Sequence, residues 1–252
     1  MPLVAFSSPK GGVGRTTLAA TVAVALRRLG WRVLAIDFDR QNALRLNFEL
    51  ADDLRGVAHD FEANRDWNEI AVETPAGVHL IPFGAVPAHD WLRLHGHLTQ
   101  NPGWLRQRLA PLAEQRDLVV IADLPTSPSQ LNVELDGYAD VHVVPLLADA
   151  MSLAVLPRLQ RGEYLLAGNT QPAPQVGYVI NQVDPRRQLC RDVLALSRDV
   201  LGADLFGMVH LDEGVAEAAA CQLTVLDYAP ESAASYDIMA IAQRVHASLA
   251  PV

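Results

Sequence analysis

The chain of 252 residues has two cysteines and a single lysine. Cys190 and Cys221 stand alone, without CxxC or Cys/His spacing, which argues against a cysteine zinc site or a disulfide framework and predicts two buried thiols in a reducing cytoplasm. No run of 18 uncharged apolar residues offers a membrane-spanning helix. The opening MPLVAFSS has neither a basic segment nor a long apolar one, so no secretory leader is expected. Internal repeats and Gly/Ser-rich linkers are absent, which favours one domain over residues 1–252. The G-x-S-x-G elbow of a Ser-His-Asp hydrolase is missing too. Basic residues number 20 against 29 acidic ones, for a net charge of −9, which argues against bulk coating of nucleic acid or anionic lipid. Lys10 is the only lysine, so the remaining 20 − 1 = 19 basic residues are arginines.

What is present is 50% apolar and 19% charged, the balance of a soluble globular chain with a large buried core. Short apolar, β-branched runs recur at Leu3–Phe6, Arg32–Ile36, Val78–Pro82, Leu118–Ala122, Val141–Pro145, Gln175–Ile180 and Leu205–Val209. Between them lie helical patterns at Thr16–Leu29, Ser152–Tyr164, Leu189–Leu201 and Ser232–Leu249. Strands alternating with helices predict an α/β fold: a doubly wound, mostly parallel sheet flanked by helices. Residues 42–77 are less regular, and 85–103 carry Pro, His and Gly, so both read as insertions on the sheet's functional rim. His89, His95 and His97 fall in the second insertion without helix-register spacing, which disfavours a histidine metal site.

The strongest signal is S-S-P-K-G-G-V-G-R-T-T, directly after the first strand and before the first helix. Gly11, Gly12 and Gly14 let backbone N–H groups, including that of Val13, curl round phosphate oxygens, and the helix directs its positive N-terminal end at the same anion. Thr16 offers a hydroxyl to Mg²⁺, with Thr17 beside it. Arg15 stands where a phosphate-loop lysine usually reaches the β/γ-phosphates, and the larger, planar guanidinium keeps the charge and the donors, so nucleotide binding is expected to survive with slower turnover. The second strand ends in Asp37-x-Asp39, placing two carboxylates on the rim where open α/β sheets bind ligands. The apolar strand L-V-V-I-A-D-L-P ends in Asp123, which can accept a hydrogen bond from a water on Mg²⁺. Within V-G-Y-V-I-N-Q-V a strand is expected to end in Asn181, whose amide can both donate to and accept from adenine.

The K-G-G opening of the loop resembles the deviant phosphate-loop motif of the ParA/MinD superfamily. That resemblance covers nearly the whole chain. It implies an ATP- and Mg²⁺-dependent ATPase that dimerises face to face around two nucleotides, with Lys10 reaching the partner's phosphates. It further implies that Gly11, Gly12, Val13, Gly14, Arg15, Thr16 and Thr17 hold the phosphates, that Asp39 orients the attacking water, that Asp37 and Asp123 support the Mg²⁺ shell with Thr16, and that Asn181 meets adenine. The strings at 42–48 (N-A-L-R-L-N-F), 80–84 (L-I-P-F-G), 123–130 (D-L-P-T-S-P-S-Q) and 209–218 (V-H-L-D-E-G-V-A-E-A) resemble the BcsQ family of cellulose-biosynthesis proteins. That family implies a cytoplasmic protein that supports and localises cellulose secretion at the inner membrane or cell pole. Its partners there are BcsR, BcsE and the cellulose synthase complex, with membrane association through them alone.

Two other readings share these motifs. A chromosome or plasmid partition ATPase would need a basic DNA-binding face, and the densest cluster here is only Arg186, Arg187 and Arg191. A scaffold locked on ATP, binding without hydrolysis, is motivated by Arg15. The C-terminal pattern Ile238, Ile241, Val245, Leu249 carries one arginine and reads as core packing, against a basic membrane-binding helix.

Overall fold

The computed structural model describes residues 1–62, 65–126, 130–161 and 174–249. Among the described residues, eight strands form one sheet: β1 (Leu3–Phe6), β2 (Arg32–Asp37), β3 (Val72–Glu73), β4 (His79–Ile81), β5 (Leu118–Asp123), β6 (Val141–Leu147), β7 (Gln175–Val183) and β8 (Leu205–His210). Their order is β3-β4-β2-β5-β1-β6-β7-β8. Every pairing is parallel except β3 on β4 at one edge. The α/β, doubly wound architecture predicted by the alternating pattern is therefore present.

The described helices are α1 (Arg15–Arg28), α2 (Val57–Asp60), α3 (Trp67–Ile70), α4 (Ala88–Gln100), α5 (Trp104–Leu109), α6 (Gln130–Asp136), α7 (Ala150–Gln160), α8 (Gln188–Leu201), α9 (Glu213–Ala220), α10 (Val225–Tyr228) and α11 (Ala233–Leu249). Alternate strand residues face opposite layers. Val4 and Phe6 join the core under α1 and α11, while Leu3 and Ala5 join the one under the helices between β2 and β6. Both cores are clusters of buried apolar side chains, which is why these strands read as unbroken apolar runs. A third cluster packs α7 and α8 on the β6–β7 end, through Leu156, Leu159, Val193 and Leu194.

The structure corrects four sequence expectations. Of the two thiols expected to be buried, Cys190 is buried but Cys221, just past the end of α9, is exposed. The 85–103 stretch is not irregular, because α4 fills most of it. Trp91, Leu94 and Leu98 sit at helical spacing and pack inward, a stripe masked in the sequence by Gly96 and three histidines. α7 starts at Ala150, two residues earlier than expected, because Asp149 caps it: its carboxylate accepts the Ser152 N–H at 2.8 Å. The predicted end of that helix at Tyr164 lies outside the described residues. β3, with two residues, is too short to leave a periodic signal.

Strand register sets the site. Phe6 of β1 lies opposite Asp123 of β5, and Asp123 lies opposite Asp37 of β2. The C-terminal ends of three neighbouring strands therefore finish level, and the loop leaving β1 emerges beside two carboxylates. Chain order reverses around β1, the position in open α/β sheets where ligands bind.

Candidate functional site

The loop from Ser7 to Gly14 joins β1 to α1. Gly12 and Gly14 have φ of +74° and +82°, a conformation that costs an L side chain about 1–2 kcal/mol. Val13 between them is buried, while Gly11 and Gly12 are exposed. Gly14 is the N-cap of α1 and has no side chain to satisfy the first-turn N–H groups, so those donors remain for an anion.

Behind the loop, Arg15 is the hub. Only 8% of its side chain is exposed, and its guanidinium reaches three elements. Nε donates to Asp123 Oδ1 at 2.7 Å, Nη2 to Asp39 Oδ2 at 2.7 Å, and Nη1 to Thr126 Oγ1 at 2.9 Å. Thr16 Oγ1 donates to the other oxygen of Asp123 at 2.7 Å. Asp39 accepts the Gln41 N–H through Oδ1 at 3.0 Å, so its carboxylate bridges Arg15 and its own loop. Burial pulls the Arg15 pKa down, but Asp123 and Asp39 outweigh it and leave the guanidinium above its ordinary value, a fixed cation. Burial raises Asp123, with Arg15 and Thr16 pulling the other way.

Asp37 is fully buried, and its two oxygens accept the backbone N–H groups of Asp39 at 2.9 Å and Leu44 at 3.0 Å. It shapes the turn that presents Asp39, and both oxygens expected to support the Mg²⁺ shell are engaged by backbone N–H groups instead. Burial, helped by the nearby Asp123 charge, pushes its carboxyl well above the usual range. Phe38 in the same turn packs on Trp67, which meets Trp104 edge-on with ring centroids 5.8 Å apart.

Lys10 pairs with Asp149 at 2.6 Å, each side chain about one-third exposed. Asp149 is held below its ordinary carboxylate value: burial opposes this, but the Lys10 and Ser152 hydrogen bonds prevail. Asn181 lies two residues before the end of β7 at Val183, so the strand runs past the end expected for it; its Nδ2 donates to the Val13 carbonyl at 2.7 Å. It also lines a cavity of about 370 Å³ with Gly14, Thr17, Gln182, Leu211 and Asp212. Loop, carboxylates, Lys10 and Asn181 thus converge on one rim.

The sequence reading missed Thr126, Asp149 and Asp212. Asp149 and Asp212 carry a signal, since each precedes a helix as its N-cap. Thr126 carries none, because its contact with Arg15 is tertiary.

Among the described residues, no cluster of His, Cys, Asp and Glu could hold a metal ion by itself. Thr16 Oγ1 and Asp123 Oδ2, hard oxygens 2.7 Å apart at the helix N-terminus, fit Mg²⁺, which takes one or two protein oxygens and fills its shell with phosphate and water. His89, His95 and His97 lie on α4. Among the described residues, no helix is long and apolar enough to cross a membrane.

The family model described as "Cellulose biosynthesis protein BcsQ" matches residues 1–245. The chromosome-partitioning ATPase Soj of Thermus thermophilus is 31% identical over 97% of this chain and 95% of its own. Cellulose biosynthesis protein BcsQ of Escherichia coli K12 is 26% identical over 96% of this chain and 93% of its own. Among solved structures, the septum site-determining protein MinD of Pyrococcus horikoshii, complexed with Mg-ADP, superposes with a TM-score of 0.77 at 20% identity, covering 100% of this chain and 99% of that one. The fold, the phosphate loop and these matches together make the chain a member of the BcsQ family, within the ParA/MinD superfamily of ATPases.

Proposed function

We propose that the chain is one ATP-binding domain that hydrolyses ATP slowly and dimerises around two nucleotides, in support of cellulose secretion. One observation carries the reading: α1 opens on an uncapped, glycine-rich turn beside Asp123, Asp39 and the Arg15 guanidinium, all at the ends of adjacent strands. Backbone N–H groups from Gly11 to Thr17 bind the phosphates. Asn181 and the cavity beside it take adenine. Thr16 and Asp123 would hold Mg²⁺, which supplies charge neutralisation at the β- and γ-phosphate oxygens. Asp37 keeps the 38–44 turn in shape, and Asp39 orients a water toward the γ-phosphorus. The water oxygen bonds to phosphorus, the bridging oxygen leaves with ADP, and the water's protons pass to the phosphate product and solvent.

Lys10 leaves Asp149 to reach the partner's phosphates in the dimer. By family resemblance the partners are BcsR, BcsE and the cellulose synthase complex, with the protein cytoplasmic and drawn to the inner membrane or pole by them. A second reading, a scaffold that binds ATP without turning it over, draws on the engagement of Arg15 by carboxylates in place of phosphate. Titration calorimetry tests the shared premise: ATP binds in Mg²⁺, and Thr16→Ala weakens binding in Mg²⁺ about tenfold while changing it little in chelator. Absence of ATP binding by the parent protein overturns both readings.

A further inference from the structure

We propose that Arg15 is a positioning residue for hydrolysis: it sets the orientation of the attacking water through Asp39 and ties the phosphate loop to the segment after β5. The inference rests on the reading of this site as an ATP-hydrolysing one. A phosphate-loop cation is ordinarily a point charge, whereas this one is a fork with all three of its nitrogens in use. Its partners lie on the loop after β2 (Asp39), the end of β5 (Asp123) and the segment beyond it (Thr126), at 2.7, 2.7 and 2.9 Å.

The donor count decides what each residue type could do here. A guanidinium has five N–H donors, so three bonds leave one N–H on each terminal nitrogen, available to a phosphate oxygen while the carboxylates stay held. An ammonium has three donors on one atom. It could not serve two carboxylates, a hydroxyl and a phosphate together, and its donors cannot span the separation of the three partners as a planar fork does. Arginine here is therefore a working part, and the usual lysine is a loss. The chain continues beyond Arg15: Asp39 passes the constraint to the Gln41 N–H at 3.0 Å, fixing the turn that carries it.

The test is Arg15→Lys, which keeps the charge and restores the commoner residue. Steady-state kinetics should show kcat lowered about tenfold or more with KM for ATP within about threefold, the pattern of a lost transition-state interaction. Thr126→Val, which removes one arm and no charge, should lower kcat about threefold. In the nucleotide-free protein, Arg15→Lys should speed hydrogen exchange of the Gln41 amide at least about fivefold, because Asp39 loses its anchor. Turnover of Arg15→Lys equal to or above the parent's, or unchanged Gln41 exchange, overturns the proposal. If the parent shows no turnover, the hydrolysis reading falls, and the exchange result alone still decides whether Arg15 holds Asp39.

Discussion

Asn181 sits directly beneath Gly14: a Cβ built on Gly14 would lie 2.4 Å from Asn181 Nδ2, the nitrogen that donates to the Val13 carbonyl. The end of β7 thus props the phosphate loop from outside the β1–α1 unit. Gly14→Ala meets two obstacles, the clash and a φ of +82°. ATP affinity should fall at least about tenfold, since the strained conformation alone costs about 1–2 kcal/mol. Adding Asn181→Ala removes the clash and leaves the φ strain, so in a calorimetric double-mutant cycle the pair should be non-additive. Strict additivity would mean that the two residues do not touch in solution.

Lys10 and Asp149 form the second relationship with a consequence. The pair is about one-third exposed on each side, so its loss should cost under about 1 kcal/mol of stability. Lys10→Ala should then keep the melting temperature and monomer nucleotide binding nearly intact but lose ATP-dependent dimerisation, read by light scattering. Asp149→Asn keeps an N-cap for α7 and releases the lysine, so its dimer should form at lower ATP concentration. An unchanged ATP dimer in Lys10→Ala contradicts the trans role.

His142, wholly buried in central strand β6, gives the protein a pH dependence of its own. Burial lowers its pKa from 6.5 to about 4. The unfolded chain therefore binds a proton between those values that the folded chain refuses, and stability falls as pH drops through that window. The linkage predicts about 2 kcal/mol lost between pH 7 and pH 5. Urea unfolding at the two pH values should show this for the parent and a clearly smaller difference for His142→Phe; equal differences would remove His142 as the cause.

The layered fold was legible because buried parallel strands write apolar runs into the sequence, and Leu3–Phe6 matches β1 residue for residue. The loop was legible because glycines stand at 12 and 14, where φ is positive, directly before a helix that begins at Arg15, one residue ahead of the Thr16 expected. α4 was not, because Gly96 and three histidines hide the Trp91–Leu94–Leu98 stripe. The roles of Arg15 and Asp37 were only half legible. The sequence places both at the phosphate rim, but that Arg15 reaches Thr126 and that Asp37 is occupied by the N–H groups of Asp39 and Leu44 depend on how separate loops meet. No spacing along the chain encodes that.

The most direct test of hydrolysis at this rim is γ-phosphate release in a single turnover, with protein in excess over ATP and Mg²⁺ present. The parent protein should release phosphate, and Asp39→Asn should bind ATP with comparable affinity while release falls at least about a hundredfold, the scale on which removing a transition-state contact acts. Bound ATP with no release from the parent, or release undiminished in Asp39→Asn, would contradict it.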